Sequence, residues 1–153
     1  SDMALVETWT AHSNYTPVIF SAHDAAGCPV YHTNVILAVG AGFSVCGLDM
    51  VRASERATVA DALALCGTVV ALTTPHIHQF AGNMLQLQTS RGDPVCVLST
   101  TALASLTGDQ RRVIEQHTRL LPVEIPTIEA VGGGSARCML AENFLTAKQP
   151  DAR

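Results

Sequence analysis

Residues 131–142 read VGGGSARCMLAE, and the rest of the chain can be understood from this stretch. Three consecutive glycines allow positive φ and let another molecule approach the backbone closely. Cys138 follows them and opens an apolar run that predicts a strand. A thiol beside free amide N–H groups and Arg137 lies in a positive local field, which favours the nucleophilic thiolate. The alternative is a glycine turn before a core strand, whose cysteine is only a small hydrophobic residue.

Length and composition limit the possible classes of protein. The 153 residues suffice for one domain with a hydrophobic core. Only 14% of them are charged, against roughly 25% in soluble domains, which predicts a surface that a partner covers. The net charge of −4, without a basic run, argues against nucleic acid as the ligand. No apolar segment is long enough to span a membrane, and five cysteines without a CxxC pair fit a reducing cytoplasm.

The order of apolar segments predicts an α/β chain with a repeat of two strands, a helix and a strand. Ser54 is expected to cap the helix of the first unit, and Thr107, with capping-box spacing, that of the second. A short buried strand is also expected at Val18–Phe20, after a helix at 4–11. The strands of the two units are expected at 32–39, 43–48, 68–73, 82–88, 95–98 and 120–125.

Three polar residues mark the entries of successive units. Asn34, Asn83 and Cys138 each precede an apolar run, and they are separated by 49 and 55 residues. A period near 50 is typical of propellers, in which equivalent strand entries converge around one axis. A ligand pocket forms naturally at such a point.

Several other residues could carry chemistry, but each has a simpler explanation. His76 and His78 lie on one side of a predicted extended segment, as in some metal sites, yet no further ligand stands at zinc-like spacing. An ordinary loop is therefore the more frequent explanation, and no metal or cofactor is expected. Cys28 lies four residues before His32 in a Gly-Cys-Pro turn that disfavours a nucleophilic role. The remaining cysteines follow apolar runs and are expected in the core: Cys46, Cys66 and Cys96.

Three segments resemble the guanidino-group-modifying, or pentein, superfamily. They are YHTNV at 31–35, FAGNMLQL at 80–87 and PTIEAVGGGSARCMLAE at 126–142. The resemblance is nearest to the bacterial-type amidinotransferase branch, which is related to arginine deiminase and dimethylargininase. It implies a β/α propeller of five ββαβ units, of which this chain resembles about half, the C-terminal half. On this reading residues 1–146 belong to the propeller domain and residues 147–153 form a flexible tail.

The resemblance also implies a reaction. Cys138 corresponds to the nucleophile of the family, and His32 to its general acid and base. The thiolate attacks the guanidinium carbon, the histidine protonates the departing amine, and an amidino-thioether remains on the cysteine. Water or an amine then accepts the group, so the chain is expected to belong to an amidine hydrolase or an amidinotransferase acting on a guanidino compound such as arginine.

Further residues are expected around the substrate, and one of them departs from the family. We expect the substrate to contact Asn34, Asn83, Gly133, Gly134 and Arg137. Arginine deiminases carry an aspartate at the position of Asn34, so a grip on the guanidinium by a carboxylate there is absent. Glu129 and Glu142 are predicted on strand faces near the thiol, where they could bind a guanidinium or be solvated.

Family members are about twice as long as this chain, and their first half carries an acidic residue that orients the histidine. An open half-propeller exposes strand edges and apolar surface. We therefore expect either a missing N-terminal half or self-association to cover the open edge. The alternative function is a catalytically incomplete half-propeller that acts as a structural or binding subunit.

Overall fold

The computed structural model describes residues 2–143, so the expected tail at 147–153 lies outside the described residues. These residues form a mixed α/β structure with two three-stranded sheets. The helices are Met3–Ala11 (α1), Arg56–Ala64 (α2), Thr74–His78 (α3), Thr100–Ser105 (α4), Gly108–Glu115 (α5) and Pro126–Gly132 (α6). The strands are Leu37–Val39 (β1), Gly42–Cys46 (β2), Gly67–Ala71 (β3), Leu85–Gln88 (β4), Pro94–Ser99 (β5) and Arg119–Val123 (β6).

The two sheets have the same topology. In the first, β2 lies between β1, to which it is antiparallel, and β3, to which it is parallel. In the second, β5 lies in the same way between β4 and β6. A parallel pair requires a crossover connection, which α2 provides in the first sheet and α4 with α5 in the second. The two ββαβ units predicted from the sequence are therefore confirmed.

The central strands supply much of the hydrophobic core. Phe43 and Val45 of β2 and Leu98 of β5 are almost completely buried, together with Val59 of α2 and Ile114 of α5. Central strands covered on both faces are expected to be nearly continuous apolar runs, and these two are. The packing of both sheets fixes the positions of the strand entries, where the candidate site lies.

One of the two helix caps was predicted correctly. Thr107 and Gln110 form a capping box, in which the threonine hydroxyl accepts from the Gln110 N–H and the glutamine carbonyl accepts from the Thr107 N–H. Ser54 caps nothing, because α2 begins two residues later and Glu55 stands at its N-cap without a side-chain hydrogen bond. Thr107 acts as a cap because Gln110 stands three residues after it. With this spacing, two backbone N–H groups at the start of α5 receive hydrogen-bond partners.

Two of the predicted strands differ from the structure. Val18–Phe20 pairs with no strand, and Val18 and Ile19 are about half exposed. The strand predicted at 32–39 begins instead with a 3-10 helix, Thr33–Val35, so only Leu37–Val39 pairs with β2.

Two helical segments were predicted as extended chain. Residues 74–78 form α3, which Pro75 in the first turn and a capping interaction between Thr73 and His76 favour. Cys138 lies in a 3-10 helix, Ala136–Met139, rather than at the mouth of a strand. Its N–H donates to Ser135 O at 3.0 Å, so the backbone is satisfied locally and needs no neighbouring strand.

Helix α1 does not contribute to the hydrophobic core. None of its residues is buried, and its large apolar side chains face outward, with Leu5 70% and Trp9 59% exposed. Trp9 stacks on Tyr15 with ring centroids 5.7 Å apart, and Tyr15 is itself exposed. Within residues 2–143, no helix has the length and apolarity that crossing a membrane requires.

Candidate active site

The three residues predicted to mark the repeat meet at one sulfur atom. Asn83 Nδ2 lies 3.2 Å from Cys138 Sγ, and Asn34 Nδ2 lies 3.8 Å from it. Asn83 Nδ2 also donates to the backbone carbonyl of Asn34 at 2.9 Å, which ties the first unit to the second. The convergence expected from the repeat is therefore present, and its centre is a thiol with two amide donors.

Asn83 is the most tightly held of the three residues. It is only 3% exposed, and its Oδ1 accepts from the Ser135 N–H at 3.2 Å. Its backbone carbonyl accepts from the Arg137 N–H at 3.4 Å. Asn83 thus contacts the sulfur and holds the backbone at Ser135 and Arg137, just before Cys138.

The glycines shape the space around the sulfur. Gly133 has φ of 67°, a left-handed conformation that ends α6 and turns the chain toward Cys138. A Cβ on Gly134 would lie 2.9 Å from Cys138 Sγ, so a side chain there would displace the sulfur. The Tyr31 hydroxyl donates to Gly133 O at 3.1 Å and fixes the loop against the segment that carries His32.

Glu129 belongs to α6, so the prediction of a strand-face carboxylate is wrong. Its carboxylate holds the loop before Cys138 through hydrogen bonds. Its two oxygens accept from Ser135 Oγ at 2.6 Å and Thr101 Oγ1 at 2.7 Å. Burial raises the pKa of this carboxyl, but hydrogen bonds from Ser135, Ser99 and Thr101 outweigh that effect and leave the pKa below its ordinary value. Glu142, the other predicted carboxylate, lines a separate cavity beside His117.

Cys138 opens into a cavity of about 270 Å³, a size suited to a small molecule. Asp24 and His78 are the ionisable residues on its wall besides two cysteines and a tyrosine. His78 belongs to α3, where the sequence predicts an ordinary loop. The same wall includes Cys28, Tyr31, Asn83, Gly133 and Gly134.

His32 lies in a neighbouring cavity of about 620 Å³, together with Asn34. The two cavities share the wall formed by Val30 and Tyr31. The imidazole is exposed and packs against the Tyr31 ring at 5.0 Å, without a hydrogen bond from any residue in the range 2–143. The structure thus brings the flanking residues of His32 against the Cys138 loop, but not the imidazole itself against the sulfur.

Arg137 is turned away from the cavity. Its Nη1 donates to the backbone carbonyl of Leu140 at 3.1 Å, and the residue is not part of the cavity wall. The positive side chain expected beside the thiol therefore stabilises the turn after it. Of the positions predicted around the substrate, Gly133, Gly134 and Asn83 line the cavity that contains Cys138.

The five cysteines are all unpaired, and their surroundings differ. Burial, together with the charge of Asp49, raises the pKa of the Cys46 thiol to about 11, and burial raises that of Cys96 to about 12. These two are core residues, as predicted. Cys66 is exposed, contrary to the prediction, because it follows the end of α2. Cys28 lines the same cavity as Cys138.

No cluster of three metal-ligating side chains occurs within the described range 2–143. His76, one of the two histidines considered for a metal, is instead used in capping α3, where its Nδ1 lies 3.0 Å from the Thr73 backbone nitrogen.

Solved structures similar to this chain include those of an arginine dihydrolase. ArgZ, an arginine dihydrolase from the ornithine–ammonia cycle in cyanobacteria, superposes in its apo form with a TM-score of 0.68 at 12% identity, over 96% of this chain and 22% of ArgZ. The N-terminal domain of ArgZ covalently bound to a reaction intermediate gives 0.68 and 12%, over 91% of this chain and 46% of that domain. The substrate-bound mutant domain gives 0.67 at 11% identity, over 90% and 46%.

At these identities the superpositions show a common fold, and this chain spans less than half of the ArgZ N-terminal domain. No curated protein matches the sequence significantly. The profile of one protein family, N,N dimethylarginine dimethylhydrolase, eukaryotic, matches residues 1–145, which is almost the whole chain. The predicted resemblance to the pentein superfamily is confirmed, and the chain belongs to the family of N,N dimethylarginine dimethylhydrolases.

Proposed function

We propose that this chain provides the nucleophile of a hydrolase that cleaves a C–N bond of a guanidino compound. The observation that carries the proposal is the environment of the Cys138 thiol. The thiol lines a cavity, the Asn83 amide contacts it, and it packs against Gly134, where a side chain would leave it no room. A structural cysteine would be surrounded by apolar side chains, as Cys96 is. Membership of the dimethylarginine dimethylhydrolase family supports the choice of substrate class.

The proposed reaction has two steps. The Cys138 thiolate attacks the guanidinium carbon, and the amine leaves with a proton that His32 supplies. Water then adds to the amidino-thioether, the C–S bond breaks, and the products are a ureido compound and the free thiol. An imidazole suits both proton transfers because its charge changes near neutral pH. In this proposal His32 approaches the bound substrate from the neighbouring cavity, across the wall of Val30 and Tyr31.

Water is the proposed acceptor, rather than an amine. Both the family and the ArgZ structures are named for hydrolytic reactions, which supports a hydrolase over an amidinotransferase. Asn34, Asn83, Gly133 and Gly134 remain the proposed contacts of the substrate. For Arg137 we propose only an indirect contribution, through the turn that its guanidinium stabilises.

The test compares two alkylating reagents with the same leaving group, chloroacetamidine and chloroacetamide. The amidine resembles the cationic guanidinium, so a guanidinium site should make Cys138 react at least tenfold faster with it. Cys66 is the control, because it is an exposed thiol outside the cavity and should show no such preference. Peptide mass spectrometry separates the two cysteines.

Equal rates for the two reagents at Cys138 would contradict the proposal and favour a structural or binding subunit. Cys138 could react faster with chloroacetamidine while the protein turns over neither arginine nor dimethylarginine. That result would support the assignment of the site, and the lack of turnover would be attributed to propeller units outside this chain. Turnover that is lost in both Cys138→Ser and His32→Asn would support the complete reaction.

We further propose that additional propeller units complete the ring around this chain and cover α1. The exposed side chains of Leu5, Trp9 and Tyr15 form an apolar surface that monomers rarely leave open. Light scattering together with intact mass tests this: we expect association or added polypeptide. A well-behaved monomer of 16.1 kDa would contradict the proposal.

A further inference from the structure

We propose that Asn83 is a catalytic residue that activates Cys138, and that the thiolate is stabilised by neutral amide donors rather than by a cation. This inference rests on the proposed function only in naming Cys138 as the nucleophile. It assigns to Asn83 a direct hydrogen bond to the reacting atom, in addition to any contact with substrate.

The hydrogen bonds of Asn83 explain why its N–H faces the sulfur. Its Oδ1 accepts from the Ser135 N–H, which fixes the amide orientation and leaves Nδ2 to point toward Cys138 Sγ and Asn34 O. A flipped amide would place Nδ2 against the Ser135 N–H, donor against donor. Because the side chain is 3% exposed, no solvent is available to compensate for that conflict.

A buried amide N–H at 3.2 Å favours the charged form of a sulfur acceptor, since a hydrogen bond to an ionised group is stronger than one to a neutral group. Asn34 adds a second donor, but at 3.8 Å it is the weaker of the two. The Gly134 position keeps the sulfur within reach of both, because no side chain occupies the space beside it.

The charged groups around the sulfur do not offer a better explanation. Arg137 donates to Leu140 O and is turned away from the cavity. The titratable groups on the cavity wall are Asp24, Cys28 and Tyr31 from the segment before His32, and His78 from α3. The carboxylate of Asp24 would oppose a thiolate, so His78 is the one side chain on this wall, among the described residues, that can carry a positive charge.

Ionic strength separates the two explanations without any mutation. The rate of Cys138 alkylation by iodoacetamide is measured against pH by peptide mass spectrometry, at salt concentrations from about 0.01 M to about 1 M. Over this range the screening length falls from roughly 30 Å to 3 Å. Amide donors predict a pH midpoint that stays constant, whereas an ion pair with His78 or Arg137 predicts a midpoint that rises with salt.

Variants then assign the effect to one side chain. Asn83→Ala is expected to raise the pH midpoint of alkylation by about one pH unit, which corresponds to the loss of one hydrogen bond to a charged group. Asn83→Asp keeps an acceptor for the Ser135 N–H but places a carboxylate against the sulfur, so its midpoint should rise further. Arg137→Gln and His78→Gln are the matched controls and should leave the midpoint unchanged.

A purely structural role for Asn83 would lower the thermal stability of its variants while the alkylation midpoint stayed constant, and that result would overturn the proposal. A midpoint that rises with salt in the unaltered protein would also overturn it, even if no Asn83 variant folds. Because alkylation requires no turnover, a failure of the guanidino chemistry gives a different result, namely an intact midpoint shift without reagent preference.

Discussion

The two ββαβ units carry an asparagine at the same place in the repeat, but the two side chains have different surroundings. Asn83 is buried, and both ends of its amide have hydrogen-bond partners. Asn34 is half-buried, its Nδ2 is 3.8 Å from the sulfur, and its Oδ1 is buried without a partner in the described structure. Equivalent positions in a repeat therefore do not imply equivalent roles.

The difference follows from what lies beyond each unit. The second unit packs against the Cys138 loop, so its asparagine is enclosed by Ser135 and Arg137 on one side and by Asn34 on the other. The first unit has the cavity of His32 beside it, so its asparagine is enclosed on fewer sides. One amide is suited to hold the site together, and the other leaves its buried carbonyl oxygen without a hydrogen bond in the described structure.

The largest expected effect tests this contrast directly. Asn83→Ala should lower the free energy of unfolding by about 3 kcal/mol, because the Ser135 N–H and the Asn34 carbonyl lose their partner at roughly 1–3 kcal/mol each. Asn34→Ala should cost less than about 1 kcal/mol, since its amide makes only one long contact. Urea denaturation measures both, and equal losses would show that the two positions are equivalent after all.

The next effect concerns the residue before each asparagine. A Cβ on Gly82 would lie 2.5 Å from Val35 O, a backbone atom that cannot move aside easily. Gly82→Ala should therefore lower the free energy of unfolding by about 2 kcal/mol through overpacking. Thr33, the corresponding residue of the first unit, is exposed, and Thr33→Ala should change stability little. A neutral Gly82→Ala in thermal denaturation would mean that the units can separate.

A smaller effect is expected at the crossover helices. Thr107→Ala removes the capping box of α5 and should cost about 1 kcal/mol. Ser54→Ala is the matched control in the first unit, where the serine caps nothing, and should be near neutral. Chemical denaturation of both variants at one temperature gives the comparison. If Ser54→Ala lowers the free energy of unfolding as much as Thr107→Ala does, Ser54 caps α2 as the sequence predicts.

The smallest effect extends the comparison to the loop that carries Cys138. Glu129 has a lowered pKa in the folded state, so its ionised form adds stability above its unfolded value near 4.5 and this stability is lost as the pH falls through the folded value. Glu129→Gln should therefore be less stable than the unaltered protein at neutral pH. The gap should close below pH 4.5, and urea midpoints measured across this range provide the test. A gap that stays constant with pH would show that the charge is irrelevant.

The repeat itself could be predicted, because local signals encode it. Alternating apolar runs, turn residues and the Thr107 capping box are properties of short segments, and they placed both hairpins and α5 correctly. The errors fall where local and tertiary preferences conflict. Val18 and Ile19 are apolar enough for a buried strand, but no strand pairs with them.

The site was only partly predictable for the same reason. The period of the repeat brought Asn34, Asn83 and Cys138 together in the prediction, and the structure does so too. The expected role of Arg137 depended on sequence adjacency, and a 3-10 helix turns its side chain to Leu140 instead. No local signal could show that His78 would share the cavity with Asp24 and Cys28, since it comes from a separate segment.

The sequence by itself determined the repeat, the glycine loop before Cys138 and the family to which the chain belongs. Each of these depends on residue types at fixed spacing, which a linear pattern contains. Only the tertiary structure decided which donors face the sulfur, which carboxylate supports the loop and which cavity holds His32. Those outcomes depend on the relative orientation of packed units, and burial then fixes which of two otherwise similar amides has its hydrogen bonds satisfied.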